Sequence, residues 1–254
     1  MSDKVLVEID GGLITITINR PEMRNAVDRD VSYGVCAAVD ELDHRADLRV
    51  GILTGAGGTF CSGMDLGAFL RGEVTRVKGR GILGIALTPP QKPLIAAVEG
   101  YALAGGFEAV LACDLVVAAR DAQFGLPEAR RGLAAAAGGL IRLPRLIPPR
   151  IAMEIALTGA PVSAERMAAY GLVNRLVEPG EALAAAKDLA NQIIANAPLS
   201  VAASKRVILE QRDWTTEESF ARQEQITGHL LGSADAKEGA AAFKEKRLPV
   251  WKGE

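Results

Sequence analysis

The spacing of apolar positions predicts an alternation of strands and helices. Leu13 to Asn19 alternates with period two and places Ile14, Ile16 and Ile18 on one face, the pattern of a half-buried strand. Val5 to Ile9, ahead of Gly11-Gly12, is placed to be its hairpin partner. Asp28 then opens a helix whose apolar residues, Val31, Val35, Val39 and Leu42, recur every three or four positions. Short apolar strands are predicted at Arg49 to Thr54, Pro93 to Val98, Asp114 to Ala119 and Leu172 to Val177. Strands separated by helical stretches define an α/β class. The last third changes character. Pro179 to Ala195, Pro198 to Glu210, Thr216 to Leu231 and Asp235 to Lys246 all read as helices, opening at or near Pro, Thr or Asp. We expect a core over 1–195 and a helical segment over 196–254.

Composition narrows the classes. The chain has 254 residues, 49% hydrophobic and 24% charged, with a formal net charge of −2. A chain of this length buries about 70–75% of its unfolded surface and needs no metal or disulfide staple. The near-neutral balance argues against a nucleic-acid face. No apolar run reaches the roughly 18–20 residues of a membrane helix. Met1 to Asp10 shows no leader pattern, and Cys36, Cys61 and Cys113 are odd in number and far apart. These features predict reduced thiols and a cytoplasmic location.

Several chemistries drop out for want of residues. The chain has two histidines, His44 and His229, and no His/Cys spacing for a metal. It has no G-x-S-x-G elbow and no P-loop. Gly55-x-Gly57 after a strand lacks the third glycine of a dinucleotide turn, since Phe60 stands in its place. Two glycine-bearing turns remain, GAGGTFCSGMDL at 55–66 and GYALAGGFE at 100–108, each between a strand and a predicted helix. Helix N-termini carry unpaired N–H groups and a positive dipole end. Two such ends facing each other would supply donors for a developing oxyanion. Plain strand-to-helix turns fit the same spacing.

Two carboxylates lie near these turns. Glu108 falls in the first turn of the second helix, and Glu128 follows QFGLP at 123–127. Facing into one cleft, they would hold a single proton between them, because burial and mutual repulsion raise one pKa. Such a pair performs general acid and general base work. Taken singly, a glutamate at a helix start also serves as a cap.

The motifs NRPEMRNA (19–26), FCSGMDL (60–66), PLIAAVEGYALAGGFE (93–108), CD (113–114) and QFGLPE (123–128) occur in this order. GG (138–139), RLPR (142–145), LTG (157–159), GLVN (171–174) and AFKEKR (242–247) follow. In this the sequence resembles the crotonase, or enoyl-CoA hydratase/isomerase, superfamily over nearly its whole length. The resemblance implies a crotonase-like spiral of ββα units with a helical C-terminal trimerisation segment, two trimers often stacking as a hexamer. It implies an acyl-CoA thioester whose carbonyl oxygen lies between the backbone N–H groups of Met64 and Gly105. It makes Glu108 and Glu128 the two catalytic glutamates of a hydratase, adding water to a 2-enoyl-CoA to give a 3-hydroxyacyl-CoA. CoA is then part of the substrate, and no metal or other cofactor is implied. Arg24 and the backbone of Ser62, Met64, Asp65 and Leu66 are expected near the CoA, with Phe243 and Lys246 reaching the CoA of a neighbouring subunit. Arg71, Arg76, Lys78 and Arg80 form a basic stretch that fits either phosphates or a solvated face.

The chain also departs from the family pattern. Ala135-Ala136-Ala137-Gly138-Gly139 stands where typical hydratases carry Pro-Gly-x-Gly-Gly, which bears on the acyl pocket. Ala104 and Phe107 replace a glycine and a smaller residue. Arg130 and Arg131 follow Glu128, and a cation beside it would hold it ionised unless they point to solvent. Alternatives are another crotonase reaction, double-bond isomerisation or a specialised acyl-CoA dehydration, and an acyl-CoA-binding oligomer without catalysis.

Overall fold

The computed structural model describes residues 3–254; Met1 and Ser2 lie outside the described residues. A six-stranded sheet runs in the order Val5–Asp10, Leu13–Ile18, Val50–Gly55, Leu94–Val98, Leu115–Ala119, Arg175–Val177. The first pair is the expected antiparallel hairpin, and every later pairing is parallel. Parallel strands need crossovers, and helices supply them. Ile14, Ile16 and Ile18 are fully buried in the main core with Val31, Val35, Val39 and Leu42 of helix Arg29–His44. That helix starts where Asp28 accepts the Val31 N–H, a cap contributing about 1 kcal/mol. The strand is more buried than its alternation implies, because the other face of the sheet is covered too. Leu13, Val50, Ile52, Ile95, Ala97 and Val117 pack there against Ala182, Ala186 and Ala190. Alanine at every fourth position lets helix Ala182–Ile194 lie close to the sheet.

A second layer gives the fold its repeat. Leu94–Val98 is followed by short strand Tyr101–Leu103 and helix Gly105–Val110. Leu115–Ala119 is followed by Gln123–Gly125 and the tight turn Pro127–Arg131. After Val50–Gly55 the equivalent segment makes isolated bridges, Cys61 to Ala102 and Met64 to Val27. Each unit is a strand, a second-layer strand or bridge, then a helix or turn, the expected ββα pattern. Gln123–Gly125 pairs in parallel with Tyr101–Leu103 and antiparallel with Val162–Ser163. The second layer brings together loops that are remote in sequence.

The C-terminal helices form close to where the sequence places them: Pro198–Glu210, Thr216–Thr227 and Ala234–Glu245. Two boundaries differ. The 179–195 helix begins at Ala182, since the Glu99 carboxylate binds the Gly180 and Ala182 N–H groups and holds the entry turn. The third helix stops at Thr227, and Gly228–Gly232 winds as a tighter 3₁₀ turn. Strand Leu172–Val177 shortens to Arg175–Val177, because the Leu172 N–H goes back to Met167 O. Lys205 ties the segment to the core through Asp114 at 2.6 Å, and Trp251 Nε1 donates to Ala195 O. Phe220, Leu231, Phe243 and Leu248 stay exposed. No described helix is long and apolar enough to cross a membrane.

Candidate active site

Backbone pairing in the second layer sets the site. The Cys61 N–H donates to Tyr101 O and the Leu103 N–H to Cys61 O, which fixes 61–64 beside 101–105. On the other side the Val27 N–H donates to Gly63 O and the Asp65 N–H to Val27 O, so Met64 is gripped on both flanks. A Cβ built on Gly63 would lie 3.3 Å from Gly105 N and 2.7 Å from Ala104 Cβ. Glycine at 63 is therefore what allows the two turns to touch. Met64 and Gly105 donate no backbone hydrogen bond among the described residues, and Gly105 is the first residue of its helix. Two free donors on adjoining turns are the elements of an oxyanion hole. One detail corrects the sequence expectation of two helix ends. Met64 precedes the N-cap Asp65 of a short helix, Leu66–Leu70, so its N–H lies in a bridge and only that of Gly105 at a helix terminus.

Ala104 holds the second turn in an unusual backbone state, φ 50° and ψ −128°, with its N–H on Gly125 O and its carbonyl taking the Glu108 N–H. A residue with a Cβ pays about 1–3 kcal/mol there. Ala104→Gly should therefore stabilise the protein by about 1 kcal/mol after glycine's extra unfolded-state entropy is subtracted. A urea or thermal midpoint that falls would refute the strain.

The parallel register Leu103 to Gly125 carries Glu128 to the same end as Glu108. Glu108 is only 3% exposed. Its Oε1 accepts the Ala137 N–H at 2.7 Å and the Gly139 N–H at 2.9 Å. Those amides lie at the start of helix Gly139–Leu146, so the carboxylate also meets a positive dipole end. Burial raises the Glu108 pKa, while these two N–H groups and the Arg142 charge oppose the rise. Glu128 has less support. Its Oε2 is buried without a partner. Burial, with a contribution from the Glu108 charge, pushes its pKa up to about 7, with Arg131 opposing. Arg130 turns away to Thr158 O and Arg131 to Pro127 O, so the neighbouring cations leave Glu128 able to hold a proton. The pair is asymmetric, with Glu108 better suited to negative charge.

The chain is similar to known proteins along its whole length. The family model for enoyl-CoA hydratase/isomerase matches residues 8–254. The chain belongs to the enoyl-CoA hydratase/isomerase family. A carnitinyl-CoA dehydratase of Salmonella arizonae is 41% identical, with all of both chains covered. Among solved structures, an enoyl-CoA hydratase EchA1 from Mycobacterium marinum is 58% identical, with full coverage of both chains and a TM-score of 0.98. A carnitinyl-CoA hydratase from Mycobacterium avium is 43% identical, also with full coverage of both, at a TM-score of 0.81. The fold is the crotonase fold, as the ββα repeat requires.

The other predicted residues of this family member divide into two groups. Arg24 and Ser62 are joined, the Ser62 N–H donating to Arg24 O, so Arg24 and the stretch Ser62 to Leu66 line one edge beside Gly105. The Asp65 side chain is occupied: it caps the Ala68 N–H and pairs with Arg20 at 3.1 Å. Phe243 and Lys246 lie apart, at the end of the last helix, whose hydrogen bonds run to the C-terminal tail. Of the basic stretch, Arg80 is held by Asp40 at 2.7 Å and by Gly84 O, and Arg71 sits by Glu73. Sequence reasoning missed the amides of Ala137 and Gly139 as the support of Glu108. The signal was Gly139, where a Cβ would come within 3.0 Å of Glu108 Oε1.

Proposed function

We propose that this protein is an enoyl-CoA hydratase, adding water across the 2,3 double bond of a 2-enoyl-CoA thioester in acyl-CoA (fatty acid) metabolism. The observation that carries the reading is the unequal pair: Glu108 buried and held by two amides, Glu128 half-buried with its inner oxygen, Oε2, unpartnered. The thioester oxygen accepts from the Met64 and Gly105 N–H groups. Water attacks the β carbon as Glu108 takes its proton, and the π electrons move onto the Cα–C–O unit as an enolate. Glu128 then gives its proton to Cα, forming a 3-hydroxyacyl-CoA. The opposite sequence dehydrates. The two donors and two carboxylates account for every proton and charge, so the reading calls for no metal or other cofactor. CoA is a carrier, contacted by Arg24, by the 62–66 backbone and, in an oligomer, by Phe243 and Lys246 of a neighbour. We read 196–254 as the segment that builds a homotrimer, or a hexamer of two trimers. Its exposed apolar side chains support that reading. The three free cysteines fit a cytoplasmic lyase.

A second reading is favoured by the 41% identity to a protein named carnitinyl-CoA dehydratase: dehydration of a specialised 3-hydroxyacyl-CoA by the same glutamates. Loss of the enoyl-thioester absorbance with crotonyl-CoA, then with longer and branched 2-enoyl-CoAs, tests the first reading. Appearance of that absorbance from carnitinyl-CoA tests the second. Hydration requires Glu108 ionised and Glu128 protonated. Its kcat/KM should therefore fall as pH rises through about 7, where Glu128 loses its proton, and fall again in acid as Glu108 gains one. A profile flat from pH 6 to 9 would contradict the assignment of Glu128.

A further inference from the structure

Glu108 and Glu128 account for the reacting protons, but the groups that hold Glu108 in place need a support of their own. The segment 137–139 is one residue thick at Gly138. On one side the Ala137 and Gly139 amides grip Glu108. On the other lies Arg142, close enough that a Cβ at Gly138 would collide with its Nη1. Arg142 sits on the same helix, its N–H bonded to Gly138 O at 2.8 Å, and its Nη1 donates to Ala86 O at 2.6 Å. Ala86 ends a loop whose Ile82 side chain packs on Gly105: a Cβ there would lie 2.7 Å from Ile82 Cδ1. One guanidinium thus fastens the backbone that carries the base to the loop that seats the oxyanion turn.

We propose that Arg142 is a positioning residue of the reaction, clamping 137–139 to Ala86 and so holding the Ala137 and Gly139 amides on the Glu108 carboxylate. The charges around it are few. Glu128 faces Glu108 from the 127–131 turn, with Arg131 behind it. Cys113 faces Arg142 from the end of the Glu108 helix. Beyond lies a cavity of about 1140 Å³ that also holds Arg145, Arg212 and the closed Asp114–Lys205 pair. Among the described residues the Arg142 charge is the one that opposes the rise in the Glu108 pKa. It forms no ion pair within 4.0 Å among the described residues, and its guanidinium is fixed by the bond to Ala86 O, so it acts on Glu108 through the amides it braces and through space.

The proposal rests on the hydration reading for its kinetic test and stands apart from it in a second test. Arg142→Met should lower kcat for crotonyl-CoA hydration by about 10–100-fold with little change in KM, the size expected when a catalytic group is slightly misplaced. Its acid limb in kcat/KM should move to higher pH, since removing a cation favours the protonated carboxyl. Arg142→Lys should restore the limb, though not all of kcat. If Arg142→Met fails to fold, Arg142→Gln takes its place in the same comparison. Independently of turnover, infrared difference spectra against E108Q follow the Glu108 carboxyl. Its protonated band should persist to higher pH without the Arg142 charge. An unmoved limb and an unmoved band would overturn the proposal. A moved band in a protein that hydrates no 2-enoyl-CoA would keep Arg142 and discard the hydration reading.

Discussion

Glu108→Gln should cut hydration by about 10²–10⁴-fold, the usual contribution of a general base. The variant is well controlled. Glutamine keeps the shape of the side chain and leaves an oxygen to accept the Ala137 and Gly139 amides, so the 137–139 segment stays bonded. What it loses is the site that takes the water proton. The fall should appear in kcat, with KM little changed, because the proton moves only in the transition state. Near-full activity would refute the assignment. Glu128→Gln should also be inactive as a hydratase. Isomerisation, by contrast, needs one carboxylate to carry a proton between two carbons. Activity lost in Glu128→Gln and kept in Glu108→Gln would point there.

The two glutamates also show how far the sequence could be read. Local features were plain. Ile14, Ile16 and Ile18 form one buried face, Asp28 caps its helix, and helix Pro198–Glu210 begins at its proline. Each rests on neighbours within a few residues. Glu108 and Glu128 were visible as residue types, and the family resemblance supplied their roles. The support of Glu108 was hidden, because its partner amides lie 29 and 31 residues away and are backbone groups with no side-chain signature. Arg142 was hidden for the same reason: its acceptor, Ala86 O, is 56 residues away. Met64 was expected at a helix end and lies one residue before the N-cap Asp65 of Leu66–Leu70, where a bridge to Val27, 37 residues away and with no local signature, also fixes it. Ala104 is the opposite case. Its sequence departure from glycine coincides with a positive φ, so the oddity in the chain marks a strained spot in the site.

Gly105→Pro should lower kcat by about 10²–10³-fold, the cost of losing one oxyanion donor, about 2.7–4 kcal/mol. Position 105 suits this experiment. It is the first residue of its helix, where proline fits without breaking an intrahelical bond, and its N–H has no partner within the described chain. Proline also adds bulk, so Gly105→Ala is the necessary companion. That variant keeps the N–H and adds a Cβ whose nearest neighbour is the end of the Ile82 side chain, which can shift. The expected result is a small loss in Gly105→Ala and a large one in Gly105→Pro. CoA-thioester affinity should stay near normal in both, because the donor acts mainly on charge that develops during the reaction. Equal losses in the two variants would mean that space beside Ile82 governs the rate. A proline variant within tenfold of the starting protein would mean that Met64 alone holds the thioester oxygen, and that the contact between the two turns at Gly63 serves the fold instead.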